Sequence, residues 1–88
     1  LTPRDWRRRS ETVSDLLRDH IEVISVCTKC DLKMPVDLRL VARVSGPRTS
    51  LWNRKARCRR LGCAGFVEFH AKFWGMNIYQ PMRAPDED

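Results

Sequence analysis

Cys27-Thr28-Lys29-Cys30 and Cys58-Arg59-Arg60-Leu61-Gly62-Cys63 are the two stretches that decide how this chain folds. Two residues separate the first pair of thiols, four separate the second, and 27 residues lie between the pairs. Ligands at two-to-four spacing let one short loop turn both sulfurs toward a single ion. Two such loops make a zinc ribbon. Gly62 before the last cysteine and Gly65 after it supply the backbone freedom such a loop needs. Cys27, Cys30, Cys58 and Cys63 are therefore the expected ligands of one structural Zn2+ ion. Close pairing suits a metal better than a framework of widely spaced disulfides. A thioredoxin-like redox site would need Cys27 at a helix N-terminus within a βαβ unit, which Pro35 and the short chain argue against. Burial of four thiols as small hydrophobes would not sort them into two pairs.

Eighty-eight residues make one small domain. A chain of that size buries only about 60% of its extended surface and commonly relies on a metal or disulfide staple. No run resembles the apolar core of a signal peptide or approaches the ~20 apolar residues of a membrane span. A cytoplasmic location is expected, where thiols stay reduced.

The net charge of +6 is concentrated. Residues 1–37 carry seven acids and seven bases, and residues 68–88 carry four acids and two bases. From Leu38 to Val67 there is no Asp or Glu, against eight Arg and Lys. Such a directed field points to a polyanionic partner. A metal with four thiolates carries about −2, so part of this charge offsets the ligands.

Leu1 to Arg9 reads as a flexible basic arm. A helix follows, capped by Ser10 or Thr12 and apolar at Val13, Leu16 and Leu17. Ile21 to Val26 is β-branched and runs as a strand into the first cysteine loop. Asp31 to Pro35 is a short return that Pro35 confines to an edge. Val36 to Val44 fits two patterns: it alternates like a strand, and it also suits a helix capped by Asp37. Gly46-Pro47 stops either. A second short helix is expected from Thr49 or Ser50 to Arg57. Val67, Phe69, Ala71 and Phe73 line one face of a strand whose other face carries Glu68, His70 and Lys72. Gly75 onward reads as a tail whose Met76, Ile78, Tyr79 and Met82 dock on the domain or on a partner. The expected boundaries are thus 1–9 for the arm, 10–74 for an α+β zinc-ribbon domain, and 75–88 for the tail.

Thr12 to Leu17, the β-rich run into Cys27 and Cys30, Asp37-Leu38, the Gly46 break, Leu51-Trp52 and Arg57-Cys58 with Gly62, Cys63 and Gly65 carry a resemblance. Over roughly residues 12–70 the chain resembles the small uncharacterised zinc-ribbon proteins of alphaproteobacteria. That resemblance implies a leading helix, four cysteine ligands, and a helical insertion between the loops, which favours helix over Val36 to Val44. The chain departs from the pattern in having four rather than two residues within its second loop. No settled activity comes with the resemblance.

Function follows from the basic segment. Arg54, Lys55, Arg57, Arg59 and Arg60 place five cations within seven residues, beside Trp52. They are the expected nucleic-acid contacts, in a transcription setting, with Arg7 to Arg9 as a second contact. Trp52 could stack on a base, although at its spacing it also reads as core. An acidic protein surface is the other partner these cations would suit. The competing reading is an accessory subunit or adaptor that joins a larger complex through residues 75–88. His20 and His70 sit away from ligand spacing and read as surface residues. No Ser/His/Asp set, paired carboxylates or Gly-rich phosphate loop is present. A non-enzymatic binding module is expected.

Overall fold

The long central strands set the architecture of the computed structural model, which describes residues 3–84. β1 (Glu22–Cys27) and β4 (Phe66–Lys72) pair antiparallel from Glu22↔Lys72 to Cys27↔Val67. β2 (Lys33–Pro35) flanks β1, while β3 (Lys55–Arg57) and β5 (Gln80–Pro81) share the far side of β4. All pairings are antiparallel. Three helices complete a small α+β fold: α1 (Pro3–Arg9), α2 (Val13–Arg18) and α3 (Leu38–Ser45). No helix among the described residues is long and apolar enough to cross a membrane.

Alternation along β1 and β4 decides which sheet face is covered. Val23, Ala71 and Phe73 are buried with Val13 and Leu16 of α2. Leu38, Leu51 and Trp52 close the same core. Thr12 caps α2 through a reciprocal pair: its Oγ1 accepts from the Asp15 N–H at 3.2 Å, and Asp15 Oδ2 accepts from the Thr12 N–H at 3.2 Å.

Val36 to Val44 resolves as helix from Leu38 onward. Asp37 Oδ1 accepts from the N–H groups of Arg39 and Leu40, and Gly46 ends α3 at φ +101°. Leu38, Val41 and Ala42 pack on the core at helical spacing, leaving Leu40 and Val44 outside.

Three expectations need correction. Residues 49–57 do not form a second helix: Leu51 and Trp52 are buried, Asn53 turns at φ +57°, and Lys55 to Arg57 become β3. Tertiary hydrogen bonds hold that turn. The Asn53 N–H donates to the Met82 carbonyl at 2.9 Å, Asn53 Oδ1 accepts from the Ala84 N–H at 2.9 Å, and the Trp52 indole donates to the Ser10 carbonyl at 2.9 Å.

The basic arm is also structured within the described residues. Pro3 to Arg9 is helical, with Asp5 in its first turn and Arg7, Arg8 and Arg9 in its last, as the helix dipole favours. The Trp6 ring stacks on Phe73 at 5.3 Å, Phe73 stacks on Trp52 at 5.6 Å, and the Arg9 guanidinium lies 4.2 Å above Trp74. Leu1 and Thr2 lie outside the described residues.

Finally, the supposed tail belongs to the domain as far as Ala84. β5 extends the sheet, Met82 is only 2% exposed, and the Tyr79 hydroxyl donates to Glu22 at 3.0 Å. The domain therefore reaches beyond 10–74 at both ends. Residues 85–88, including the acidic terminus, lie outside the described residues.

Candidate metal centre

Both cysteine loops emerge from the same end of the sheet. Cys27 closes β1 opposite Val67, and Cys58 follows β3, whose Arg57 pairs with Phe66. Since β1 and β3 flank β4, the pairing register brings the two loops together. The Thr28 N–H donates to the Phe66 carbonyl at 3.0 Å, and the Cys58 N–H donates to the Gly65 carbonyl at 3.0 Å. Asp31 reverses the first loop at φ +61°, and Gly62 reverses the second at φ +81°.

The sulfurs of Cys27, Cys30, Cys58 and Cys63 all lie within 4.8 Å of one another. The Cys27 and Cys63 sulfurs are 3.6 Å apart, and those of Cys30 and Cys58 are 3.7 Å apart. A disulfide needs about 2.05 Å, so neither contact is a bridge; all four cysteines are free. Four sulfurs about 2.3 Å from a central ion form a tetrahedron with edges of about 3.8 Å. The Cys27–Cys63 and Cys30–Cys58 separations match that figure and the rest stay within 4.8 Å, so the residues fit a tetrahedral metal ion.

The protein surrounds these sulfurs with donors. The N–H groups of Lys29 and Cys30 each donate to Cys27 Sγ at 3.4 Å, and the Gly65 N–H donates to Cys63 Sγ at 3.4 Å. The Cys30 and Lys29 amides hold the Cys27 thiol down at about 6. The Arg60 amide acts in the same sense on Cys58, but burial and the three neighbouring sulfurs overcome it and push Cys58 up to about 12. A first thiolate thus forms readily, whereas four together require a cation among them. Gly65 is indispensable to this packing. A Cβ there would sit 2.6 Å from Lys29 Cβ and 3.1 Å from Cys27 Sγ.

The expected nucleic-acid residues gather on an edge rather than on a helix face. Lys55 and Arg57 lie on β3, Arg59 and Arg60 lie in the second loop, and Arg54 precedes the strand; all five are exposed. Arg54 donates to the Ser50 carbonyl at 3.5 Å. Among the described residues, the side chains of Lys55, Arg57, Arg59 and Arg60 have no hydrogen-bond or carboxylate partner. Trp52 is buried and unavailable to a ligand, while His20 and His70 stand apart from the sulfur cluster.

Two surface features escaped the sequence reading. Phe66 is 55% exposed, and Leu61 at the tip of the second loop is fully so. A signal for Phe66 was present, because β4's alternation assigns it to the face of Glu68 and His70. On the opposite face, a groove of about 320 Å³ opens between the sheet and α3, floored by Val67 and Phe69 and bordered by Met34, Leu40 and Arg59. Comparison with protein-family models, curated proteins and solved structures found no match to this chain. The sulfur cluster is thus the structural basis for its class: a small α+β domain with a four-cysteine site able to hold a metal ion.

Proposed function

We propose that the chain is a zinc-stapled, non-enzymatic module of the zinc-ribbon type, with α3 inserted between its loops, that binds nucleic acid through its basic segment. Zinc suits four thiolates in a tetrahedron, and a complete sulfur set leaves no position for a reactive water, so its role is structural. Such ligands survive in a reducing compartment, for which the cytoplasm is our reading.

One observation carries the nucleic-acid reading: Lys55, Arg57, Arg59 and Arg60 are exposed together at one sheet edge, without carboxylate partners among the described residues. Solvated compensation of the metal centre is the plainer account of such charge. It covers only part of it, because eight cations from Leu38 to Val67 against about −2 on the thiolate-bound metal leave about +6. Loops anchored by a metal also present their cations with little ordering left to lose.

The test is salt dependence of binding by the zinc-loaded protein, with one zinc per chain verified by native mass spectrometry. Arg57→Ala with Arg59→Ala is expected to flatten the slope of log affinity against log salt by about 1.8 on duplex DNA or about 1.4 on a single strand. An unchanged slope and affinity would overturn the reading.

A second reading, an adaptor of a larger assembly, retains the exposed Met34, Leu40 and Val44. Its proposed attachment through residues 75–88 is weakened, because Met82 and Ala84 are already committed to the core. Co-purification of a protein that survives nuclease treatment would favour it.

A further inference from the structure

The sheet has one face in the core and one outside it. Pairing register assigns the outer face four rows of side chains, the fourth being Lys72 opposite Glu22 at the end far from the cysteine loops. Arg57 stands opposite Phe66 in the first row. Lys55, Glu68, Val26 and Lys33 form the second, across β3, β4, β1 and β2. Pro81, His70, Ile24 and Pro35 form the third. Phe66, Val26 and Ile24 contribute nothing to the buried cluster, which gathers against Val23, Ala71 and Phe73 of the opposite face.

Near Phe66 cations outnumber carboxylates on this face, while Glu22 lies in the fourth row at the far end and accepts from the Tyr79 hydroxyl. Lys55 and Lys33 flank the second row about 14 Å apart, three strand spacings of about 4.8 Å. Arg57 adds a third cation beside Phe66. The intervening carboxylate, Glu68, is engaged by Arg83 at 3.6 Å. Phe66 itself is held firmly, because its carbonyl accepts from both the N–H and the hydroxyl of Thr28, at 3.0 and 3.2 Å.

We propose that this outer sheet face binds single-stranded nucleic acid, with a base stacked on the Phe66 ring and the backbone phosphates met by Arg57, Lys55 and Lys33. The inference rests on the nucleic-acid reading above and adds the form of the ligand. A flat sheet with an exposed ring has no helix or ribbon to enter a duplex groove, and paired bases keep their faces inside the stack. An unpaired strand offers both the π-face and the flexible phosphates this surface complements. DNA and RNA strands share that chemistry. Lys33 is the distinctive member, since it lies outside the basic segment and reaches the strand only across this face.

Fluorescence anisotropy of the zinc-loaded protein tests this, using labelled DNA and RNA strands of about 12 nucleotides and the matching DNA duplex. Phe66→Leu is expected to weaken strand binding roughly 10-fold, while Phe66→Trp retains it and its emission is quenched by the bound strand. Lys33→Ala should flatten the single-strand salt slope by about 0.7. Duplex affinity should be the lower of the two and indifferent to Phe66→Leu. Circular dichroism and zinc content of the variants verify the fold, which a half-exposed residue outside the core leaves intact. Equal strand affinity for wild type and Phe66→Leu, with the double arginine variant still altering the slope, overturns this proposal and spares the basic-segment reading. Tighter binding to duplex than to strand does the same. Binding to none of the probes overturns both.

Discussion

Gly65 shows how much rests on a single hydrogen atom. Its backbone conformation is ordinary, yet a methyl group in place of that hydrogen would meet the Lys29 side chain and two of the four sulfurs. The expected consequence of Gly65→Ala is separation of the two loops and a loss of metal affinity of 10-fold or more, the scale of supporting-residue defects around metal sites. Competition with a chromogenic chelator would measure it, and wild-type affinity would refute the packing argument. Gly62 is constrained differently, by a left-handed backbone in open space, so its substitution strains the loop without crowding the sulfurs. Both glycines stand out beside Cys63 in the sequence. That Gly65 must also pass against Lys29, a residue 36 positions earlier, is known only once the loops are together.

At the scale of elements, helices and strands with strong local signals formed where their residues indicated. Thr12 caps α2, β1 follows its β-branched run, β2 is an exposed edge carrying Pro35, and β4 alternates as written. Segments with weak local signals took their structure from distant partners. Residues 49–57 turn because Asn53 is clamped to Met82 and Ala84, and α1 docks because Trp6 completes a ring stack through Phe73 to Trp52. Met82 is therefore a core residue. Met82→Ala is expected to lower stability by about 2–5 kcal/mol, measured by urea denaturation. A loss below about 0.5 kcal/mol would mean that the last described residues are dispensable after all.

For the molecule as a whole, a metal held by the four sulfurs would link folding to pH. Cys27, whose thiol is depressed to about 6, contributes stability that is present above the ordinary thiol value and lost as pH falls through about 6. His70, whose pKa is lowered by burial, acts in the same direction. Its half-buried neutral form favours folding above the ordinary histidine value, and that contribution disappears as pH falls toward its lowered value. Acidification from pH 8 to 5 is thus expected to release a bound metal and lower the melting temperature together, because protons compete with the metal for the thiolates. Chelation at neutral pH should likewise unfold the chain, because zinc binding of about 10–16 kcal/mol equals or exceeds the whole stability of a small domain. Parallel native mass spectrometry and calorimetry would check both, and a metal-free protein with an unchanged melting temperature would contradict them.

The chain's local chemistry was sufficient to indicate the cysteine quartet, the leading capped helix and the two central strands, because cysteine spacing, capping hydrogen bonds and side-chain alternation all act within a few residues. Tertiary structure alone decided that the basic segment becomes an edge strand, that both presumed arms join the core, and that the outward-facing Phe66 sits beside Arg57. Those outcomes depend on ring stacking, strand register and side-chain-to-backbone hydrogen bonds between residues from 9 to more than 40 positions apart, beyond the reach of local signals.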